Sequence, residues 1–260
     1  MIIQFEKYQG TGNDFVMLNN LDGRYDKLPV DLIVKLCDRR FGIGADGLIK
    51  INKHSSLDFE MDYYNSDGSK SFCGNGARCA VAYAGTLGKD VSFTRFMAID
   101  GEHTAASSGE SICLDMLPVN SVNQIDSDFI LNTGSPHFVR YVADLASENI
   151  VEFGKQIRYS DSYLAEGINV NLAEEITDHA IRVLTYERGV EDETYSCGTG
   201  ATACALIFGI KHGLTGMNSV DVQVKGGKLR VEFEQLVDGT FVHVRLIGPA
   251  VFVFKGEMHV

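Results

Sequence analysis

The chain is short of cations. Its 260 residues hold 23 Lys and Arg against 35 Asp and Glu, a formal net charge of −12. No basic block offsets that balance, which argues against nucleic acid or an anionic membrane surface as a partner. Long apolar runs are also missing: the stretch from Ala201 to Ile210 is far short of the ~20 residues that span a bilayer. The opening Met1-Ile2-Ile3-Gln4-Phe5-Glu6-Lys7 has no basic segment followed by an apolar one, so it does not read as a secretory signal. A cytoplasmic protein is expected. Six cysteines are present (Cys37, Cys73, Cys79, Cys113, Cys197, Cys204), but none are spaced C-x-x-C. That weakens a zinc or thioredoxin-like reading, and no metal is implied. A secreted disulfide framework is not expected at this length without a signal. No lysine sits in a context suggesting a pyridoxal phosphate Schiff base, so no cofactor is expected.

What is present begins with ordinary globular usage, 45% hydrophobic and 22% charged. The length suits one large domain or two of about 130 residues. An internal echo bears on that choice. Cys73-Gly74-Asn75-Gly76-Ala77 recurs as Cys197-Gly198-Thr199-Gly200-Ala201, 124 residues later. Each copy runs into small and apolar residues and reads as a buried helix of about three turns, ending at Gly88 or Gly213. The echo predicts two similar domains related by a pseudo-twofold axis, with the crossing near Pro118.

The remainder is mostly strand-like. Asp58 to Tyr63, Asp221 to Val224, Leu229 to Phe233 and Phe241 to Arg245 alternate with period two. Gly226-Gly227 and Asp100-Gly101 read as hairpin turns, the latter after a strand within Val91 to Ile99. Asp31 to Arg40 is an expected amphipathic helix and Ala143 to Asn149 a weaker one. Hairpin-linked strands around two buried helices read as α+β, not as βαβ. Gly42-Ile43-Gly44-Ala45-Asp46-Gly47 fits G-x-G-x-x-G, but a helix precedes it and a strand follows. That order is the reverse of a dinucleotide site, and a tight helix-to-strand connection is expected instead.

A cysteine at a helix start faces unpaired N–H groups and the positive end of the dipole, which favours the thiolate. The neighbouring glycines let backbone approach a ligand, and the same N–H groups can hold a carboxylate. One such cysteine alone would read as a packing thiol. Two, in matching places of a duplicated chain, suit inversion of a carbon centre, with a base on one face and an acid on the other. At an amino-acid α-carbon the developing charge passes to the carboxylate, which helix N-termini would stabilise.

These motifs, in order along the whole chain, resemble the diaminopimelate epimerase family. The matching blocks are Gly10-Thr11-Gly12-Asn13-Asp14-Phe15-Val16, Arg40 to Gly47, Tyr64 to Ser69, and Cys73 to Cys79. Gly134-Ser135-Pro136-His137, Ile168-Asn169, Tyr186-Glu187-Arg188-Gly189 and Ser196 to Ala201 complete them. The resemblance implies two α+β halves, 1–117 plus 250–260 and 118–249, each a mostly antiparallel sheet around a central helix, with the active site between them. It implies cofactor-free interconversion of LL- and meso-2,6-diaminopimelate, a small amino-acid substrate, and a homodimer.

By position, Cys73 and Cys197 would be the acid/base thiols, with His137 and Glu187 tuning them. Gly74, Asn75, Gly198 and Thr199 would bind the reacting carboxylate. Asn13, Asn65, Asn169, Glu187 and Arg188 would hold the rest of the substrate, Arg188 by its guanidinium fork. Taken alone, Asn13 and Asn65 are turn formers, Glu187–Arg188 a surface pair and His137 a loop histidine. Two positions depart from the family: Ser135 stands where asparagine is usual, and Gly47 where glutamine is common. Both are kept as binding positions, with a shorter reach or none. The alternatives are a related proline or hydroxyproline epimerase, and a non-catalytic protein whose two helix-start cysteines form a reversible disulfide.

Overall fold

The computed structural model describes residues 1–260. The chain divides into two compact units, Met1–Leu114 with Gly248–Val260, and Asp115–Ile247. The first opens with β1 (Ile2–Gly10) and β2 (Asn13–Asn20), then α1 (Val30–Cys37), β3 (Gly47–Asn52), β4 (Phe59–Asn65) and α2 (Gly74–Thr86). It continues through β5 (Thr94–Ala98), β6 (Gly101–Ser108) and β7 (Ser111–Asp115). The second holds β8 (Val122–Ile125), β9 (Asp128–Asn132), β10 (Pro136–Tyr141), α3 (Ile150–Arg158), β11 (Asn169–Thr177) and β12 (Ala180–Glu187). After the two-residue β13 (Asp192–Glu193) come α4 (Gly198–Lys211), β14 (Gly216–Val224), β15 (Gly227–Gln235) and β16 (Phe241–Pro249). The last strand, β17 (Val251–His259), belongs to the first unit, where it pairs antiparallel with β1.

Both units use one strand order. The first runs β17-β1-β2-β3-β4-β5-β6-β7. The second runs β8-β9-β10-β11-β12-β14-β15-β16. Antiparallel pairs dominate, and the class is α+β. The parallel pairs are β2–β3, β4–β5, β10–β11 and β12–β14. A helix lies between the strands of each parallel pair. The expectation that excluded strand–helix–strand crossovers is therefore corrected. Period-two alternation looks the same in strands paired either way, so periodicity alone could not reveal them.

The two cysteine-led helices form where the C-G-x-G segments predict them. Gly88 (φ +85°) and Gly213 (φ +59°) follow their ends in the left-handed conformation. Both are buried on nearly all sides. α2 packs on β1, β2, β3, β4 and β6, and α4 on β9, β10, β11, β12, β14 and β15. Leu206, Ile207 and Phe208 of α4 join Val220, Val231, Phe233 and Leu246 in one core. Each such side chain contributes about 1.5–3 kcal/mol.

The other helices are less faithful to the sequence reading. α1 stops at Cys37, because the Asp38 carboxylate accepts the Arg40 and Phe41 N–H groups, each at 2.7 Å, and turns the chain. Between 143 and 149 only a 3-10 turn forms, Leu145–Ser147, capped by Asp144. The regular helix begins later, at Ile150, where Asn149 accepts the Glu152 N–H at 3.1 Å. The glycine-rich segment after α1 is a connection into β3. Ile43 and Ala45 donate to the Leu36 and Cys37 carbonyls at 2.9 Å, and Lys7 Nζ caps the Gly44 carbonyl.

Candidate functional site

Cys73 is the N-cap of α2, with extended backbone (φ −135°, ψ 114°). The first intrahelical bond runs from the Ala77 N–H to the Cys73 carbonyl. Gly74 and Asn75 follow in the first turn, where backbone N–H groups point out of the helix end and suit an anion. The Gly76 N–H points at the Cys73 sulfur, 3.5 Å away. On its other side the thiol donates to Asn13 Oδ1 at 3.5 Å, an oxygen that also accepts from Asn75 Nδ2 at 3.3 Å. Asn13 is held in that sense because its amide nitrogen donates to Asp46 Oδ2 at 2.6 Å. Asp46 is in turn paired with Arg39 at 2.7 Å, and Arg39 and Lys7 both pair with Asp14, at 2.7 and 2.8 Å. Burial raises the Asp14 pKa, but the Arg39 and Lys7 bonds outweigh it and bring it to about 2. A carboxylate network thus fixes the asparagine that faces Cys73.

Arg78 lies within the Cys73 to Cys79 block, and the sequence alone gives it no role. Arg78 is fully buried and donates to Asn75 Oδ1 at 3.0 Å and Thr11 Oγ1 at 3.4 Å. Its Nε and Nη1 have no partner. Burial holds its pKa below the usual guanidinium range. The cation orients Asn75 and adds positive potential beneath the α2 N-terminus. Its signal in the sequence was an arginine inside an otherwise apolar helix.

Asn65, at the end of β4, donates to Ser69 Oγ at 3.0 Å and Ser71 Oγ at 3.1 Å within its turn. Gly47 pairs with Asn65 across β3 and β4. A Cβ at Gly47 would sit 2.4 Å from the Tyr63 ring and 2.5 Å from the Tyr64 carbonyl oxygen. Tyr63 fills the room that a side chain at position 47 would need, so Gly47 can offer only backbone.

Cys197 is the N-cap of α4 (φ −115°, ψ 109°), and the Ala201 N–H makes the first intrahelical bond to its carbonyl. Gly198 and Thr199 occupy the same places as Gly74 and Asn75. Here the sulfur meets a hydroxyl, Thr199 Oγ1, at 3.4 Å. Thr199 Oγ1 lies 2.9 Å from His137 Nε2 and 3.2 Å from Ser135 Oγ. Asn169 Nδ2 donates to Ser135 Oγ at 3.0 Å, and Asn169 Oδ1 accepts the Arg188 N–H at 2.9 Å. The Arg188 guanidinium donates to the Glu166 carbonyl at 2.8 Å. Glu187 closes β12 beside it. Ser135, where an amide was expected, is thus a joint between Asn169 and Thr199.

His137 is fully buried. Burial and the nearby Arg188 charge pull its pKa down to about 3. It is neutral at neutral pH. Asn171 and Thr185, unmarked in the sequence reading, complete this group: Asn171 Nδ2 lies 3.1 Å from His137 Nδ1, and Thr185 Oγ1 donates to Asn171 Oδ1 at 2.9 Å. Cys37, Cys79 and Cys204 are buried packing thiols. Burial raises the first two to about 12 and Cys204 further, so none supplies a thiolate.

Each half of this duplicated α+β chain thus starts its central helix at a cysteine beside an N–H cradle. The fold recurs in solved structures. The chain superposes on a phenazine biosynthesis protein of the PhzF family from Bacillus anthracis with TM-score 0.78, at 12% identity and 100% coverage of both chains. It superposes on a hydroxyproline epimerase from Agrobacterium vitis with TM-score 0.70, at 14% identity over 99% of this chain and 92% of that one. At such identities the likeness is of fold alone. Sequence is more specific. The family model described as diaminopimelate epimerase matches residues 5–96 and 129–253. The diaminopimelate epimerase of Flavobacterium psychrophilum is 49% identical over 96% of this chain and 97% of its own length. That of Aquifex aeolicus is 35% identical over 98% of both. The chain belongs to the diaminopimelate epimerase family.

Proposed function

We propose that the protein epimerises LL-2,6-diaminopimelate to the meso form, in the route to lysine and peptidoglycan precursors, with Cys73 and Cys197 as its acid and base. The observation that carries this reading is a cysteine at the N-cap of a glycine-led helix in each half, its sulfur beside a polar side chain, Asn13 at Cys73 and Thr199 at Cys197. Asn13 Oδ1 accepts from the Cys73 thiol, which favours S–H. A hydroxyl faces the Cys197 sulfur, which suits S⁻. The Cys197 thiolate takes the α-proton, and the electron pair passes into the carboxylate. The Cys73 thiol then delivers its proton to the opposite face of the carbon. The thiols exchange protonation states and the reverse reaction uses them the other way round.

The N–H groups of Gly74, Asn75, Gly198 and Thr199 hold the carboxylate as charge grows on it. Asn13, Asn65, Asn169, Glu187 and Arg188, with Ser135 and the Gly47 backbone, grip the remainder of the substrate. His137 and Glu187 set the thiol at Cys197.

The test is a substrate panel with reduced protein: LL-diaminopimelate, L-proline and trans-4-hydroxy-L-proline. Inversion of the first alone is expected. Inversion of either imino acid, or of none, sinks the reading. A cytoplasmic homodimer is part of the proposal; no helix is long and apolar enough to cross a membrane. The exposed apolar run Val251, Phe252, Val253 and Phe254 on β17 is the surface that would support pairing of two copies. Val253→Lys should halve the mass seen by sedimentation, and a monomeric parent protein would refute the pairing.

A further inference from the structure

The two halves differ sharply at three equivalent buried positions. In the first unit Phe15, Ile49 and Tyr63 stand on adjacent strands β2, β3 and β4. The same places on β10, β11 and β12 are each 122 positions further on and hold His137, Asn171 and Thr185. Both trios are buried. Both lie under the third residue of the cysteine-led helix. A Cβ at Gly76 would meet Ile49, Met61 and Phe15, and one at Gly200 would meet Asn171 and Thr185. The first unit shows that apolar side chains fill this space. Polar ones there cost free energy unless fully bonded, so their presence calls for a role.

The directions of their bonds can be assigned. The Phe138 carbonyl can only accept, and Asn171 Nδ2 donates to it at 2.9 Å. Thr185 donates to Asn171 Oδ1 from the other side. The Asn171 amide therefore cannot flip, and the group facing His137 Nδ1 is an N–H donor. Nδ1 accepts, so the proton of the neutral ring sits on Nε2. That N–H points at Thr199 Oγ1 and Ser135 Oγ, at 2.9 and 3.0 Å. Ser135 already accepts from Asn169, so its own proton also turns to Thr199. With donors on two sides, the Thr199 hydroxyl proton is directed to the Cys197 sulfur.

Resting on the two-thiol reading above, we propose that Asn171 is a positioning residue for Cys197: it locks His137 in the Nε2–H tautomer, and so turns the Thr199 hydroxyl into a hydrogen-bond donor to the Cys197 thiolate. His137 stays neutral because burial and the Arg188 cation hold it so. Arg188 is a charged group that acts on His137, and Cys204 of α4 interacts with Cys197. The counterpart positions in the first unit are Phe15, Ile49 and Tyr63.

The experiment uses Asn171→Asp and Thr185→Val in the full-length protein. Nitrogen-15 NMR of the native protein should find the His137 proton on Nε2. In Asn171→Asp the carboxylate accepts from the ring, and the proton moves to Nδ1. Alkylation of Cys197 by iodoacetamide, read on its own peptide by mass spectrometry, should then shift its midpoint up by about one pH unit, a tenfold smaller thiolate fraction. kcat should fall about tenfold while KM stays within about twofold. Thr185→Val keeps both acceptors of Asn171 Nδ2 and should keep the proton on Nε2. A native ring protonated on Nδ1 overturns the proposal, even if Asn171→Asp does not fold. So does a tautomer change with no change at Cys197, or an equal alkylation shift in both variants. The NMR and alkylation readouts need no turnover, so a native protein that passes them yet leaves diaminopimelate unchanged refutes the proposed activity alone.

Discussion

Replacing Gly200 with alanine would put a methyl carbon 2.5 Å from the Asn171 amide oxygen and 3.2 Å from the Thr185 hydroxyl. Ordinary contact begins near 3.4 Å, so the amide must retreat by about 0.9 Å. It is held by the Thr185, Phe138 and His137 bonds of 2.9, 2.9 and 3.1 Å, and a retreat of that size breaks at least one. Overpacking costs about 1–3 kcal/mol and a lost buried hydrogen bond about 1–3 kcal/mol, while alanine returns about 1 kcal/mol of helix propensity. The net loss is centred near about 3 kcal/mol by those figures.

Gly76→Ala is the matched control. Its methyl would meet the flexible ends of Ile49, Met61 and Phe15 at 3.1, 3.3 and 3.3 Å, and shifts of a few tenths of an ångström relieve them. There the propensity gain roughly cancels the crowding. Thermal melts followed by circular dichroism should place Gly200→Ala roughly 6–12 °C below Gly76→Ala, at about 2–4 °C per kcal/mol for a chain near this size. Midpoints within about 2 °C of each other would refute the claim that a rigid polar cluster lies under α4 and a pliant apolar one under α2.

Other outcomes follow from the same geometry. Cys73→Ala and Cys197→Ala should each lower epimerisation by about 10²–10⁴-fold, and a fully active variant of either would end the two-base account. His137 has a folded pKa near 3, below that of the unfolded chain. Its contribution is complete above pH about 6.5 and declines by about 1.4 kcal/mol per unit as pH falls towards 3, because only the unfolded chain takes the proton. Denaturant unfolding across that window should show the decline, and His137→Gln should remove it. Arg78→Met should leave the melting temperature equal or higher, since it removes a buried charge that lacks a carboxylate partner. It should raise KM about tenfold by releasing Asn75, which steady-state kinetics reads.

The legible parts of this protein were those with a local cause. Cys73 and Cys197 mark helix starts because glycine follows and an apolar run comes after. The hairpins at Gly101 and Gly227 were visible because strand alternation breaks there. What escaped depends on partners distant in sequence. α3 was displaced because Asp144 and Asn149 are both good caps, and only packing of the following segment on β11 and β12 decides between them. Asn171 stands in Asn169-Val170-Asn171-Leu172, an unremarkable strand, and its meaning comes from His137 and Thr185 on the neighbouring strands. Ser135 reads in the sequence as a binding position of shorter reach, and its hydroxyl joins Asn169 to Thr199, both far from it in sequence. Gly47 read as a missing glutamine, and Tyr63 explains why nothing larger fits.

The most direct test of the two-thiol account is epimerisation of LL-diaminopimelate in heavy water, stopped at low conversion. A base on one face and a separate acid on the other predict a meso product carrying deuterium at the inverted carbon, while the remaining LL substrate keeps its α-protons. Deuterium appearing in the LL substrate as fast as in the product would mean a single group serving both faces, and would contradict the pairing of Cys73 with Cys197.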